Sequence, residues 1–163
     1  MTVPTDPQAA PSAATPVPAR QPVGEGDATS TPRAPRVLLV EDVAVNQLIA
    51  NKMLQSIGCS VEIAANGVIA VTRTAEERFD LVLMDCHMPE MDGFEATRRI
   101  RSREAEAPGT PRLPIVALTA SALADERAAC LTAGMDDFAT KPLKRDELQR
   151  VVHTWVAGLG NPA

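Results

Sequence analysis

Carboxylates, a threonine and a lysine recur in this 163-residue chain in one kind of place, at or just after the end of a short apolar run. Glu41 and Asp42 follow residues 37–40, and Asp85 follows residues 81–84. Thr119 follows residues 115–118, and Lys141 follows Asp137-Phe138-Ala139-Thr140, a more polar stretch that reads as a shorter strand. Runs of this length are too short for helices and have the character of inner strands of a parallel sheet, buried on both faces. In an open α/β sheet, ligands bind outside the carboxyl ends of the strands. The five polar groups would therefore meet at one edge.

Such a set suits phosphoryl transfer. Three carboxylates repel one another and raise each other's pKa unless a cation joins them. A hard divalent ion with oxygen ligands solves this, and Mg²⁺, which keeps several waters and uses one or two carboxylates, fits a shallow site better than Ca²⁺. With Asp42 on the metal and Glu41 beside it through water, Asp85 is free to act as a nucleophile and form an acyl phosphate. Lys141 supplies fixed positive charge and Thr119 a hydrogen bond as charge develops on the transferred oxygens. No general base is evident, and an ionised carboxylate needs none. Taken alone, Asp85 reads equally well as a solvated strand end.

The elements that must position these residues follow from hydrophobic periodicity. Strands are expected at 37–40, 61–64, 81–84, 115–118 and 137–140. Between and after them, helices are expected from the residues after Asp42 to Gly58, and from Gly67 to about Glu77. Three more follow, from Asp92 to about Arg101, from a Ser121 cap to about Ala133, and from Arg145 to Val156. Val45, Leu48, Ile49, Met53 and Ile57 fall at helical spacing in the first helix, and Val68, Ile69 and Val71 are the apolar members of the second. Phe94, Thr97 and Ile100 are expected to face inward, with Glu95 pairing with Arg99. Leu148, Val152 and Trp155 share a face of the last helix, with Val151 and Val156 at its margins; at that spacing they are core before they are a partner-binding stripe. Five strands alternating with five helices define a doubly wound α/β sandwich on a parallel sheet.

Composition bounds the rest. Eight of the fourteen prolines fall in residues 1–35, which read as a disordered Pro/Ala-rich tail or linker. The net charge of −5 and the 2% aromatic content argue against a nucleic-acid surface. Cys59, Cys86 and Cys130 show no C-x-x-C spacing and read as reduced, buried thiols, the default over a redox role for Cys86. No apolar stretch is long enough for a membrane span, and the N-terminus has no signal-peptide pattern.

Val37-Leu38-Leu39-Val40-Glu41-Asp42, residues 84–93 (Met-Asp-Cys-His-Met-Pro-Glu-Met-Asp-Gly), Ala117-Leu118-Thr119-Ala120 and Lys141-Pro142-Leu143 resemble, in order and separation, the signature blocks of the receiver domain of two-component response regulators. The resemblance covers residues 36–157, leaving 158–163 as a short tail. The wording around Asp85, with Val45-Asn46-Gln47, is most similar to receivers that belong to or work with hybrid histidine kinases. The resemblance implies a flavodoxin-like (βα)5 fold of strand order 2-1-3-4-5. It implies that Asp85 accepts a phosphoryl group from a phosphohistidine, with Mg²⁺, or Mn²⁺ in its place, held by Asp42, Asp85 and the backbone carbonyl of His87, and Glu41 supporting it through water. Thr119 and Phe138 take the two switch positions, Lys141 contacts the phosphoryl group, and the Lys141–Pro142 bond is cis. Phe138 stands where the family often has Tyr, and so lacks a hydroxyl for a partner surface. The output face comprises strand four, the last helix and the surface between them.

The implied partners are a sensor histidine kinase, a histidine phosphotransfer protein or both, together with a phosphorylation-dependent homodimer. Nucleic acid and membrane contact by this chain are not expected, and the location is cytoplasmic. The domain would catalyse its own phosphorylation and dephosphorylation without turning over an external substrate. Two readings stand beside this one. The first is a receiver acting mainly as a docking or regulatory module on a kinase. The second is an Asp-nucleophile phosphohydrolase, which would need an added acid and a substrate cap. The His87 side chain is read as modulating water access, and His153 as structural.

Overall fold

The computed structural model describes residues 33–156. The expected tails, 1–35 but for its last three residues and 158–163, lie outside them. Ten elements alternate as β1 (Arg36–Val40), α1 (Ala44–Ile57), β2 (Ser60–Ala64), α2 (Gly67–Glu76), β3 (Leu81–Asp85), α3 (Gly93–Ala105), β4 (Ile115–Thr119), α4 (Ala124–Ala133), β5 (Asp137–Thr140) and α5 (Arg145–Trp155). The five strands form one parallel sheet of order β2-β1-β3-β4-β5.

Each inner strand is apolar between its ends because the pleat sends alternate side chains into two different cores. Val37, Leu39, Leu81, Leu83, Val116 and Leu118 pack beneath α1 and α5 against Ala50, Leu54, Leu148, Val151 and Val152. Leu38, Val40, Val82, Met84, Ile115 and Ala117 pack beneath the other three helices against Ala70, Ala96, Ile100 and Cys130. A polar residue inside such a run would have to be buried on one face or the other. The polar groups are thereby confined to the strand ends.

Local signals fix the helix ends. Asn66 and Asp92 cap α2 and α3, their side chains accepting from the Ile69 and Glu95 amides at 2.8 Å each. Gly58 and Gly134 close α1 and α4 in left-handed conformation, at φ 104° and 110°. Glu95 pairs with Arg99 at 2.8 Å. Ser121 does not cap α4. Its hydroxyl accepts from the Leu123 amide at 3.1 Å, and the helix begins only at Ala124, because the intervening loop is wound around Thr119. Helix α3 runs one turn past the expected stop at Arg101, with Arg101 bound to Glu104 and Asp136, both at 2.8 Å.

The apolar spacing read for α1 holds in part, since Met53 and Ile57 pack against the core, but its first three members do not. Val45, Leu48 and Ile49 are 57%, 54% and 47% exposed, whereas the helix buries Ala50 and Leu54. Alanine lets the helix approach the sheet closely, and Gln47 Nε2 donates to the Glu41 carbonyl at 2.7 Å, which fixes the rotation of the first turns. In α2, likewise, Val68 and Ile69 are exposed and Gly67 and Ala70 are buried. In α5, Leu148, Val151 and Val152 are fully buried, while Trp155 is partly buried and donates from Nε1 to Asp137 at 2.9 Å.

Gly93 follows its cap where β3 passes beneath. A Cβ built there would lie 2.1 Å from the Asp85 carbonyl oxygen and 2.8 Å from Met84 Cγ. Gly93→Ala is expected to destabilise the domain by about 2–4 kcal/mol, through backbone displacement at the strand carrying Asp85. A shift in denaturant midpoint at unchanged slope would measure it, and an unshifted midpoint would show that α3 can slide away freely.

Candidate functional site

Register decides which strand ends meet. Val40 pairs with Met84, so Glu41 and Asp42 emerge beside Asp85. Asp85 pairs with Leu118, one residue short of Thr119, and Thr119 pairs with Thr140, immediately before Lys141. The Lys141 amide donates to the Thr119 carbonyl at 2.8 Å, and the Lys141–Pro142 peptide is cis. Glu41, Asp42 and Asp85 each offer a carboxylate oxygen within 4.8 Å of the others. Glu41 and Asp85 are buried, and Asp42 lies toward solvent.

Lys141 Nζ reaches both buried carboxylates, Asp85 Oδ1 at 2.9 Å and Glu41 Oε2 at 3.1 Å. Burial pushes the Asp85 carboxyl up and the Lys141 ammonium pulls it down, while the neighbouring Glu41 charge pushes it up again; the result is about 6. Burial acts upward on Glu41 too, but bonds from Lys141 and the Val43 amide outweigh it and hold that carboxyl below its ordinary value. Burial would lower the Lys141 ammonium, and its bonds to Asp85 and Glu41 more than reverse this.

This donor set fits a hard divalent cation. Three carboxylates facing one ammonium leave an excess of two negative charges, held partly out of water, and all the free ligand atoms are oxygen. No other cluster of three or more His, Cys, Asp or Glu among the described residues has this geometry.

The remaining candidates lie around this centre. The Thr119 hydroxyl donates to the Ser121 carbonyl at 2.9 Å and accepts from the Ser121 amide at 3.1 Å, so it is turned into the loop after β4. Phe138 pairs with Ala117, two residues short of the strand end, and its half-buried ring lies 4.3 Å from the Arg127 guanidinium. It is therefore beside α4 and set back from the carboxylates. The His87 amide donates to Asp85 Oδ1 at 3.3 Å, and its exposed ring extends to Glu126. Cys86 and Cys130 are buried with their sulfurs 3.8 Å apart, and burial pushes both thiols up, which makes them poor nucleophiles.

Several supporting residues have a role that the sequence alone does not suggest. Gln47 is one, through Glu41. Glu90 is another: it sits at φ 69° and accepts from Asn66 Nδ2 at 2.9 Å, joining the loop after β3 to that after β2. Arg127 and Glu126 belong here too, since only the packing of α4 brings them to Phe138 and His87.

A five-stranded parallel sheet of this order, with a buried aspartate, two further carboxylates and a lysine at its carboxyl edge, defines a CheY-like receiver. The model of the response regulator receiver domain matches residues 37–153, and the chain belongs to that family. Its curated relatives include histidine kinases. It is 47% identical over 131 residues to the sensor histidine kinase GacS of Pseudomonas protegens, a match covering 80% of this chain and 14% of that one. It is 38% identical over 120 residues to hybrid signal transduction histidine kinase L of Dictyostelium discoideum, covering 72% and 7%. This chain thus spans a small part of the curated relatives it matches. Among solved structures it resembles the receiver domain of a Pseudomonas aeruginosa sensor histidine kinase with a magnesium ion coordinated in the active site cleft. That match has 47% identity and TM-score 0.67, and covers 75% of this chain and 97% of that one. It also resembles the receiver domain of a Saccharomyces cerevisiae response regulator co-crystallised with a histidine phosphotransfer protein, at 31% identity and TM-score 0.71, covering 78% and 92%. Among the described residues, no helix is long and apolar enough to cross a membrane.

Proposed function

We propose that this chain is a phosphoacceptor receiver of a two-component phosphorelay, cytoplasmic and working with a histidine kinase, a histidine phosphotransfer protein or both. The observation that carries the reading is the buried Asp85 carboxylate, 2.9 Å from Lys141 Nζ and within 4.8 Å of Glu41 and Asp42 at the open edge of the sheet. A carboxylate oxygen of Asp85 attacks phosphorus, the bond from phosphorus to the donor's imidazole nitrogen breaks, and the electron pair leaves with the imidazole. The ionised nucleophile needs no base. Lys141 is pre-positioned for the negative charge on the transferred oxygens, and the Thr119 hydroxyl, released from Ser121, supplies a further donor. Asp42, Asp85 and the His87 backbone carbonyl would hold Mg²⁺, with Glu41 through water, and its charge would stabilise the phosphoryl oxygens. New bonds to Thr119 draw on the loop before α4, and Phe138 moves inward from beneath Arg127.

The test is intact mass after incubation with a small acyl phosphate donor and Mg²⁺. One added phosphoryl group, absent when the metal is chelated, is the expected result. A folded, metal-binding chain that gains no mass would overturn the reading.

The exposed apolar residues support a protein partner at this same edge. Val45, Leu48 and Ile49 of α1 and Val68 and Ile69 of α2 are 38% to 57% exposed, all within the first two turns of helices that start at the site's edge. A donor carrying its phosphohistidine to Asp85 would cover them. Leu48→Asp is expected to slow transfer from a phosphorylated histidine phosphotransfer protein at least about tenfold relative to uptake from the small donor. An unchanged ratio of the two rates would move the docking surface to α4, β5 and α5.

A further inference from the structure

Arginine is concentrated on one element of this acidic chain. Of its sixteen lysines and arginines, four lie within residues 98–103 of α3: Arg98, Arg99, Arg101 and Arg103. Arg101 turns inward to Glu104 and Asp136, both at 2.8 Å. The other three line a groove of about 470 Å³ between α2 and α3, together with Ser102 and, from α2, Val71. That volume is in the range of small-molecule sites.

The charges in the groove do not cancel. Glu95 is shared, with Oε2 2.8 Å from Arg99 Nε and Oε1 3.5 Å from Arg98. Glu106 lines the far end and is in no ion pair among the described residues. Arg103 likewise has no carboxylate partner among them. Its half-buried guanidinium crosses to α2 instead, donating to the Val71 carbonyl at 3.2 Å and the Thr74 hydroxyl at 2.9 Å, both neutral acceptors. Arg99 and Arg103 stand at i and i+4, where like charges oppose one another. The Arg103 cation is therefore held in place and left unneutralised, beside a second guanidinium that is 58% exposed. A fixed planar fork of N–H donors matches phosphate oxygens, and it is already ordered in the folded chain.

We infer that the groove between α2 and α3 binds a small phosphate-bearing molecule, its anionic group bridging Arg99 and Arg103, with the Ser102 hydroxyl as a further donor and Arg98 at the rim. Glu95 and Glu106 bracket the arginines along α3. A compact anion fits between them, whereas a long acidic segment would run onto carboxylates at both ends. Among the described residues no aromatic side chain lines the groove, so a nucleic-acid base has nothing to stack on. The site shares no residue with the Asp85 centre and is independent of chemistry there. Binding is reversible, and no covalent bond changes.

The experiment titrates the full, unphosphorylated chain with pyrophosphate, in the presence of chelator and at constant ionic strength, while the arginine Nε–H resonances are followed by NMR. Saturable movement of the Arg99 and Arg103 signals is expected, and chloride at the same ionic strength should not produce it. Arg103 also ties α3 to α2, so the variant of choice is Arg99→Gln, at an exposed position. It should weaken pyrophosphate binding about tenfold or more, the scale of one charge-assisted bond to phosphate, with the fold unchanged. Movement that chloride reproduces would reduce the effect to screening. Movement confined to Lys141 and Thr119 would put the anion at the carboxylate edge, and unchanged affinity in Arg99→Gln would remove the bridge. Each of these three results would overturn the inference, and none of them bears on phosphoryl uptake by Asp85.

Discussion

Replacing Asp85 with asparagine is expected to abolish phosphoryl uptake and, at neutral pH without metal, to make the domain more stable. The first effect is the loss of the nucleophile; the second follows from electrostatics. Burial, above all, moves this carboxyl from 3.8 to about 6, and the Glu41 charge adds to the shift against the pull of Lys141. The native state therefore holds the Asp85 proton more tightly than the unfolded chain does. Stability falls as pH rises from about 4 to 6, and above that window the ionised group costs on the order of 2–3 kcal/mol. Asparagine removes both the slope and the cost. Urea unfolding in the presence of chelator, at either end of that window, should show a variant more stable than wild type at the upper pH and little different at the lower. Equal stability at the upper pH would mean that Lys141 already compensates the carboxylate in full. The intact-mass assay reads the loss of uptake on the same samples.

Lys141→Ala is expected to act in the opposite direction. The ammonium bridges Glu41 and Asp85 at 3.1 and 2.9 Å, and both carboxylates are almost fully buried. Removing the cation leaves two like charges facing each other without a partner. Such a loss costs about 3–5 kcal/mol in a closed interior, and about 2–4 is expected here because the Lys141 side of the site opens to water. The sign with pH is again set by the carboxyls. Without Lys141 the Asp85 carboxyl rises further and the Glu41 carboxyl loses the bonds that hold it below its ordinary value, so the native state of the variant binds protons more readily and its stability should recover as pH falls. Mg²⁺ should restore more stability to this variant than to wild type, since it would supply the missing positive charge. Phosphoryl uptake should fall about a hundredfold or more, as expected when a fixed charge that meets the transferred group is removed. Melting curves at two pH values, with and without Mg²⁺, separate the stability effect from the chemical one. A variant as stable as wild type at neutral pH would show that the carboxylate pair is effectively solvated.

The exposed side chains of α1 and the start of α4 mark where sequence reasoning reached its end. Periodicity located α1 but set Val45, Leu48 and Ile49 inward, because counting apolar positions weighs valine and leucine above alanine. Packing favoured the smaller Ala50, beside the bond from Gln47 to the Glu41 carbonyl. The α4 start moved from Ser121 to Ala124 because the Ser121 hydroxyl and backbone serve the loop around Thr119. These bonds span only a few residues, but apolar periodicity and capping preferences do not weigh them. By contrast, the caps at Asp92, Gly58 and Gly134 rest on backbone demands that few residue types answer, and all three read directly from the chain.

By itself, the sequence determined the alternation of strands and helices and the confinement of Glu41, Asp42, Asp85, Thr119 and Lys141 to strand ends. Inner strands of a parallel sheet are buried on both faces, and charge can be tolerated only where they stop. Tertiary structure alone decided that Lys141 bridges Glu41 and Asp85, that Thr119 faces Ser121, and that Glu126 and Arg127 reach His87 and Phe138. Apart from the local bond between Thr119 and Ser121, those contacts join residues far apart in the chain. Their distances follow from register and helix rotation, which are set by the packing of the whole domain.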